Sequence, residues 1–253
     1  MPEKLCTMRQ LSLIAVSAFL HSVVSLDARN GVQRPKIGQG ITVNASVFYD
    51  SKYNETFHKR VPDKNITEYL LQLVKKAEQH FNNESVMVKF KVSSTMQKDD
   101  WLVKYDNGSI NGHETLKNMT KYAMSQNASN NSIYYHASGY SIHTELTQQE
   151  SHTFRLSDVS TNGTFCKEPS AVIFVEFQGQ LNPRSMVKGT AGTFGAKDRV
   201  YFDTQDLQAM NKTFANCKQE KKRKGKGRKK ERNSPKYPRK EKDKPGINNL
   251  TML

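Results

Sequence analysis

The sequence predicts an α/β domain with a mixed sheet packed with helices, because strand-like runs alternate with a helical apolar stripe. Residues 86–92 alternate in part, with Val88, Phe90 and Val92 on one face, as in a half-buried strand. Residues 171–177 form the most apolar run after residue 25 and are rich in Val, Ile and Phe, which predicts a central buried strand. Between the signal-like N-terminus and these strands lies one strong helix pattern.

That helix pattern covers residues 66–81. Apolar side chains recur there at the spacing of one helix face, and Asp63 or Asn65 is placed to cap the first turn. The stripe consists of Ile66, Leu70, Leu73, Val74, Ala77 and Phe81. The sequence therefore predicts an amphipathic helix that covers one face of the sheet.

The N-terminus has the features of a secretory signal peptide. Lys4 and Arg9 give a charged segment, residues 11–24 are mostly apolar, and Val23 and Ser25 are the small residues of a cleavage site. The apolar run is short and interrupted by polar residues, and no second run approaches spanning length. We therefore expect a signal peptide at residues 1–25, a linker at 26–40, one domain at 41–217, no transmembrane segment and an extracellular protein.

Cysteine usage agrees with an oxidising compartment. Cys6 is removed with the signal peptide, so Cys166 and Cys217 remain and most simply pair. Such a bridge closes a loop of about fifty residues and contributes roughly 4 kcal/mol in the chain-entropy model.

Acceptor triplets for N-linked glycosylation are frequent along the chain, which favours a surface rich in sugar. They begin at Asn44, Asn54, Asn65, Asn83, Asn107, Asn118, Asn127, Asn130, Asn162, Asn211 and Asn249.

Residues 191–203 read Ala-Gly-Thr-Phe-Gly-Ala-Lys-Asp-Arg-Val-Tyr-Phe-Asp. This stretch resembles the zinc helix of secreted metalloproteases of the adamalysin (reprolysin) type, whose motif is Ala-His-Glu-Leu-Gly-His-x-x-Gly-x-x-His-Asp. Ala191, Gly195 and Asp203 match that motif without gaps. The flanks follow a similar order along residues 41–217: an opening strand at 47–50, a helix near 67–81, a strand at 86–90, a short helix within 109–140 followed by a strand at 133–135, a Gly-rich strand at 162–166 ending in a Cys, and a final helix at 201–217.

The resemblance implies a zincin-like (metzincin) fold, and among such proteins the chain is similar to salivary metalloproteases of arthropods such as ticks. It also implies lost chemistry, because none of the residues at the ligand and base positions can bind zinc. Those positions hold Gly192, Thr193, Ala196 and Phe202. We therefore predict no catalytic residues at the motif, no metal and no cofactor.

Other catalytic patterns are weak. No two histidines have the i, i+4 spacing that places two imidazoles on one helix face, and polar loop positions are predicted for them. The histidines after the signal peptide are His58, His80, His113, His136, His143 and His152. There is no Gly-x-Ser-x-Gly elbow and no phosphate-binding Gly loop. A pair of carboxylates distant in sequence stays open.

The C-terminal segment, residues 218–253, carries most of the charge. It holds fifteen Lys or Arg against four Asp or Glu, a net charge of +11, which leaves +4 of the formal +15 for residues 1–217. Its composition predicts a disordered tail that binds polyanions. The residues expected to bind are Lys221, Lys222, Arg223, Lys224, Lys226, Arg228, Lys229 and Lys230.

Three functions remain open at this point. The first is a secreted, inactive metalloprotease-like glycoprotein whose tail binds heparan sulfate or anionic phospholipid, and which modulates host haemostasis or immunity through a plasma protein. The second is an active secreted zinc endopeptidase with ligands elsewhere in the chain. The third is a non-protease salivary carrier or scaffold. No nucleic-acid partner is expected, because the signal peptide directs the basic tail out of the cell.

Overall fold

A computed structural model describes residues 34–144, 155–197 and 200–227. The predicted signal peptide, most of the predicted linker, His152, Asn249 and the basic residues Arg228, Lys229 and Lys230 lie outside the described residues. Within the described residues, no helix is both long enough and apolar enough to cross a membrane.

The sheet has five strands in the order β2-β1-β4-β7-β6. They are β1 (Thr42–Tyr49), β2 (Lys89–Gln97), β4 (Ser132–Ala137), β6 (Asp158–Ser160) and β7 (Ser170–Phe174). The first four in spatial order run parallel, and β6 pairs antiparallel with β7 at one edge. Two short strands, β3 (Ile110–Asn111) and β5 (Ile142–His143), form a separate parallel pair.

The helices connect these strands and cover both faces of the sheet. They are α1 (Ser51–Arg60), α2 (Ile66–Asn83), α3 (Gly112–Ser125), α4 (Arg184–Thr193) and α5 (Thr204–Gly227). Alternate strand residues point to opposite faces, so Tyr135 joins the core with α2, α4 and α5, while Tyr134 joins a second core with α3. The predicted α/β class with a mixed sheet is confirmed.

The predicted amphipathic helix is confirmed as α2. All six residues of its apolar stripe are buried. Of the two candidate caps, Asn65 is the N-cap, and its side-chain oxygen accepts hydrogen bonds from the backbone N–H groups of Thr67 and Glu68. The cap satisfies two backbone donors that the first helical turn leaves without partners.

Three sequence expectations are corrected. The strand predicted at 171–177 ends at Phe174 and lies next to the edge strand, and Phe177 beyond it is 57 % exposed. The strand predicted at 86–92 begins only at Lys89. Residues 162–166 form part of the turn between β6 and β7 instead of a strand. In each case an apolar or Gly-rich run indicated where a strand would lie, but the ends of the strand are determined by backbone pairing with neighbouring strands.

Ordered contacts begin before the predicted domain boundary. Ile37, inside the predicted linker, is buried and forms a bridge with Val86. At the other end α5 passes Cys217 and continues through Gly227, so the predicted start of the tail lies inside a helix. Lys, Arg, Glu and Gln are good helix formers, and extending an existing helix needs no new nucleation.

The predicted disulfide is confirmed between Cys166 and Cys217, with 5.0 Å between their Cα atoms. It attaches α5 to the turn between β6 and β7. Leu207, Met210 and Phe214 on the same helix are buried in the larger core, so both apolar packing and the covalent link hold α5 against the domain.

Asp50 joins three parts of the chain where β1 ends. Its carboxylate caps α1 by accepting from the backbone N–H of Tyr53 at 2.6 Å. It also accepts from the backbone N–H of Gly139 at 3.1 Å and from the hydroxyl of Ser138 at 3.0 Å, both just beyond β4. Its fourth partner is His136 Nε2 at 3.3 Å, and both side chains are fully buried.

Trp101 fixes the tautomer of that histidine. The indole Nε1 of Trp101 lies 3.2 Å from His136 Nδ1, and because indole can only donate, Nδ1 accepts. The remaining ring proton is then on Nε2 and is donated to Asp50. The close approach of this segment to α1 also explains why residue 139 is a glycine, since a Cβ there would overlap the backbone of Lys52 and Tyr53 at the start of α1.

We predict that Asp50→Ala lowers the free energy of unfolding by about 3 kcal/mol or more, because it leaves several buried donors without an acceptor. Urea unfolding followed by circular dichroism measures the change. Asp99→Ala is the matched control: Asp99 also accepts from the first turn of α1, at Ser51, but in an exposed position, and should cost less than about 1 kcal/mol. Equal losses for the two variants would contradict the central role of Asp50.

Candidate functional site

The stretch that resembles a zinc motif does not form one continuous helix. Gly192 and Thr193 are the last two residues of α4, and the chain turns at Gly195, which has a φ of +92°. Ala196 follows this turn. Positions 192 and 196 therefore do not share a helix face, as two zinc-binding histidines at this spacing must.

All four predicted motif positions are packed into the protein. The Gly192 carbonyl accepts a hydrogen bond from Gly163 at 3.0 Å. The Thr193 hydroxyl donates to the carbonyl of Thr190, and Ala196 is 5 % exposed. Phe202 is 1 % exposed and stacks on Phe81, with ring centroids 5.5 Å apart. These residues present no free donor atom to a cation and do not fit zinc.

In the part of the chain that the structure describes, no group of three or more His, Cys, Asp or Glu side chains is arranged to hold a metal ion. The prediction of polar loop positions is wrong for all five described histidines, since His58, His80 and His113 lie in α1, α2 and α3 and the other two lie in strands. His136 lies in β4 and is fully buried, and His143 lies in β5 and is 7 % exposed. Both follow apolar strand residues and face buried polar or aromatic neighbours, which sequence spacing does not reveal.

Asp50, His136 and Ser138 have the residue types of a hydrolytic triad but not its geometry. The Ser138 hydroxyl donates to Asp50, not to His136, and the free ring nitrogen that a general base needs accepts from Trp101. Ser138 is fully buried. The cluster therefore stabilises the fold and does not activate a nucleophile.

The predicted glycosylation sites lie at the surface of the described residues or close to it. Exposed acceptors are Asn65, Asn83, Asn107, Asn127, Asn162 and Asn211, and half-buried ones are Asn44, Asn54, Asn118 and Asn130. The amide nitrogen of Asn118 donates to the Trp101 carbonyl, and that of Asn54 donates to Gln97. Sugar transfer to these amides would leave each nitrogen one N–H with which to keep its contact. Use of any of the sites stays a prediction.

Five of the predicted polyanion-binding residues fall on the described chain. Lys221, Lys222, Arg223, Lys224 and Lys226 lie near the end of α5. The structure therefore places them on one helical segment that leaves the disulfide-linked part of α5.

An open cleft of about 460 Å³ lies beyond the carboxyl ends of β4 and β7. Thr56 and Arg60 of α1 form one side, residues 138–141 after β4 and 175–178 after β7 form the floor, and Arg155 and Leu156 before β6 form the other side. After β1 the chain forms β2 on one side of β1. It then passes through α3 to β4, which lies on the other side of β1. Ligands of open α/β sheets bind at such positions.

The cleft has two arginines with different surroundings. The Arg60 guanidinium lies 4.0 Å above the ring centre of Phe177 and donates to the Gln178 side chain at 2.9 Å. Arg155 has no hydrogen bond or ion pair with any described residue. It also lines an adjoining polar cavity of about 230 Å³, which includes Ser141 and His143.

Glu176 lies under the cleft and is 7 % exposed. Its two carboxylate oxygens accept from Tyr53 at 2.6 Å and Tyr69 at 3.1 Å. Burial raises the pKa of Glu176 above its ordinary value, and the two hydroxyls and Arg60 lower it in part. Burial and the nearby Glu176 charge raise the pKa of Tyr69 to about 12 and that of Tyr53 further, so both phenols remain protonated donors.

The cleft and the degenerate motif lie at opposite ends of the sheet. Gly192 contacts the turn that precedes β7, whereas the cleft lies after β7. Sequence analysis missed the cleft residues, of which Arg60, Arg155 and Glu176 carry charge. One signal was present: Glu176, Phe177 and Gln178 lie at the end of an apolar run predicted to be a strand or just beyond it, where α/β folds place functional side chains.

No known family profile and no curated protein matches this chain. Solved structures with similar backbones include a chaperone–substrate complex, with TM-score 0.39 and 7 % identity over 62 % of this chain and 23 % of that one. Metalloproteinase-II from Bacteroides fragilis has TM-score 0.43 and 8 % identity over 72 % of this chain and 55 % of that one. Archaemetzincin from Methanopyrus kandleri has TM-score 0.35 and 12 % identity over 67 % of this chain and 86 % of that one. Similarities of this size indicate neither an activity nor a ligand.

We predict a pH-dependent stability difference at Glu176. A carboxyl group whose pKa is raised by folding binds its proton more tightly in the native state, so its contribution to stability falls as pH rises through that raised pKa. Glu176→Gln removes this fall. Urea unfolding from pH 4 to pH 8 should therefore show the variant gaining stability relative to the parent as pH rises. Glu168→Gln, at an exposed position, should show no trend. A parallel pair of curves for Glu176→Gln would refute the assignment.

Proposed function

We propose that the protein is a secreted glycoprotein with a metalloprotease-like domain that does not hydrolyse peptides, and that its basic C-terminal segment binds extracellular polyanions. Heparan sulfate and anionic phospholipid are the polyanions that a secreted protein meets. An acidic surface on a host plasma protein is a further partner of the same chemistry, through which the protein would modulate haemostasis or immunity.

One observation carries the non-catalytic half of this proposal. The four positions that would supply zinc ligands and a general base hold Gly192, Thr193, Ala196 and Phe202, all of them packed in the interior. In particular, the position that would hold the third zinc-binding histidine is occupied by the aromatic ring of Phe202. Restoring a site would require repacking Phe81 and α5 as well as changing side chains.

Charge distribution supports the polyanion-binding half. A segment with net charge +11 attracts polyanions over long range and releases their condensed counterions on binding. The segment begins on α5, which the Cys166–Cys217 bridge attaches to the domain, so bound polyanion would be held close to the folded surface.

Independent features support an extracellular location. A disulfide in a domain of this size is typical of proteins in oxidising environments, and the glycosylation triplets and the N-terminal signal sequence predict the same route.

We predict that protein secreted from eukaryotic cells contains less than about 0.1 zinc per chain and does not cleave unfolded casein, because the motif residues offer no ligands. Plasma emission spectrometry measures the metal before and after treatment with a chelator. Stoichiometric zinc, with an activity that the chelator abolishes, would instead establish the endopeptidase alternative.

We also predict that replacing the eight predicted binding residues by Gln weakens heparin binding about a hundredfold or more at physiological salt and flattens its salt dependence. Elution from a heparin column and titration at several salt concentrations measure both. The residues are Lys221, Lys222, Arg223, Lys224, Lys226, Arg228, Lys229 and Lys230.

A matched control removes the same charge from the folded surface. It replaces eight exposed lysines of the domain by Gln: Lys59, Lys64, Lys75, Lys76, Lys89, Lys91, Lys117 and Lys121. This variant should elute close to the parent. Equal effects of the two sets would show that only total charge matters, and an unchanged tail variant would exclude the tail as the binding element.

A further inference from the structure

We propose that the cleft beyond the carboxyl ends of β4 and β7 binds a small monocarboxylate with an aromatic or branched apolar body. Arg155 would bind the carboxylate, and the apolar wall beside it would bind the body. This site is separate from the basic C-terminal segment and from the degenerate motif, and it does not depend on the function proposed above.

The first support for this proposal is the guanidinium of Arg155. Arg155 lines both the larger cleft and the adjoining polar cavity, and forms no hydrogen bond or ion pair within the described ranges. A guanidinium presents a planar set of donors that matches a carboxylate with two parallel hydrogen bonds. Arg60, by contrast, is held over Phe177 and by Gln178, so it contributes charge and shape at the opposite side of the cleft.

Charge balance favours a monoanion. The cleft contains two arginines and one buried glutamate, and Glu176 is already bonded to Tyr53 and Tyr69. With Glu176 ionised, one positive charge among the described lining residues remains uncompensated. A ligand with two negative charges would bring its second charge near the Glu176 carboxylate, and like charges repel.

Size and lining favour an apolar body next to the charge. The volume of about 460 Å³ lies in the range of small-molecule sites. Leu156, Val175 and Phe177 give apolar surface, and Phe177 is 57 % exposed although large aromatic side chains are usually buried. An aromatic or branched group would cover the free face of this ring and remove apolar area from water.

The experiment compares two probes of nearly the same shape, of which one is an anion and the other is neutral. The full mature protein is titrated with 3-phenylpropionate and with 3-phenylpropionamide by calorimetry, at physiological salt. We expect the acid to bind at least tenfold more tightly than the amide. Acid and amide of equal affinity, or no binding of the acid up to about 10 mM, would overturn the proposal.

Two variants locate the site. Arg155→Gln should weaken binding of the acid at least tenfold and leave the weak binding of the amide unchanged. Lys121→Gln removes the same charge from an exposed position on α3 and should change neither value. Because Arg155 is exposed and forms no hydrogen bond or ion pair with a described residue, thermal unfolding of Arg155→Gln should match the parent. Equal weakening by both variants would mean that the acid follows net charge and not the cleft, which also overturns the proposal.

Discussion

The carboxylate of Asp50 is the interaction on which the arrangement of this domain depends. It lies where β1 ends, caps the first turn of α1, and accepts hydrogen bonds from the segment that follows β4. A buried carboxylate is costly unless every acceptor position is used, and here two backbone N–H groups, a hydroxyl and an imidazole use them. The Trp101 indole orders the imidazole in turn. One ionisable group thus connects a strand end, a helix start, a second strand end and the loop that carries Trp101.

The cleft is a consequence of that connection. Because Asp50 places α1 against Gly139, residues of α1 and residues after β4 come to face the segment after β7 across an open space. Tyr53 belongs both to the capped first turn of α1 and to the pair of phenols that bind Glu176. The position of Glu176 under the cleft, and the exposed placement of Phe177 and Arg60 beside it, therefore depend on the same capped helix.

At the opposite end of the sheet, the residues at the positions of the zinc-like motif are packed in the interior. The Gly192 carbonyl accepts a hydrogen bond from the backbone N–H of Gly163 in the turn between β6 and β7, and Phe202 belongs to a group of stacked and tilted rings with Phe81 and Phe194. The disulfide closes the same region by fixing α5. The order of strands and helices rests on apolar periodicity and aromatic packing, neither of which requires a metal.

The sequence by itself determined the class of fold, a helix over residues 66–81 with Asp63 or Asn65 as its cap, and the pairing of two cysteines, because each rests on local periodicity, local capping chemistry or simple counting. The ends of the strands depend on pairing partners distant in the chain. Phe177 therefore lies outside the strand in which it was predicted, and His136 lies in a buried strand and not in a loop. The charged residues of the cleft come from positions 60, 155 and 176, which no spacing rule connects. Only the tertiary structure could bring them together, because their proximity follows from the parallel order of β1, β4 and β7 and from the antiparallel pairing of β6 with β7, and not from any local pattern.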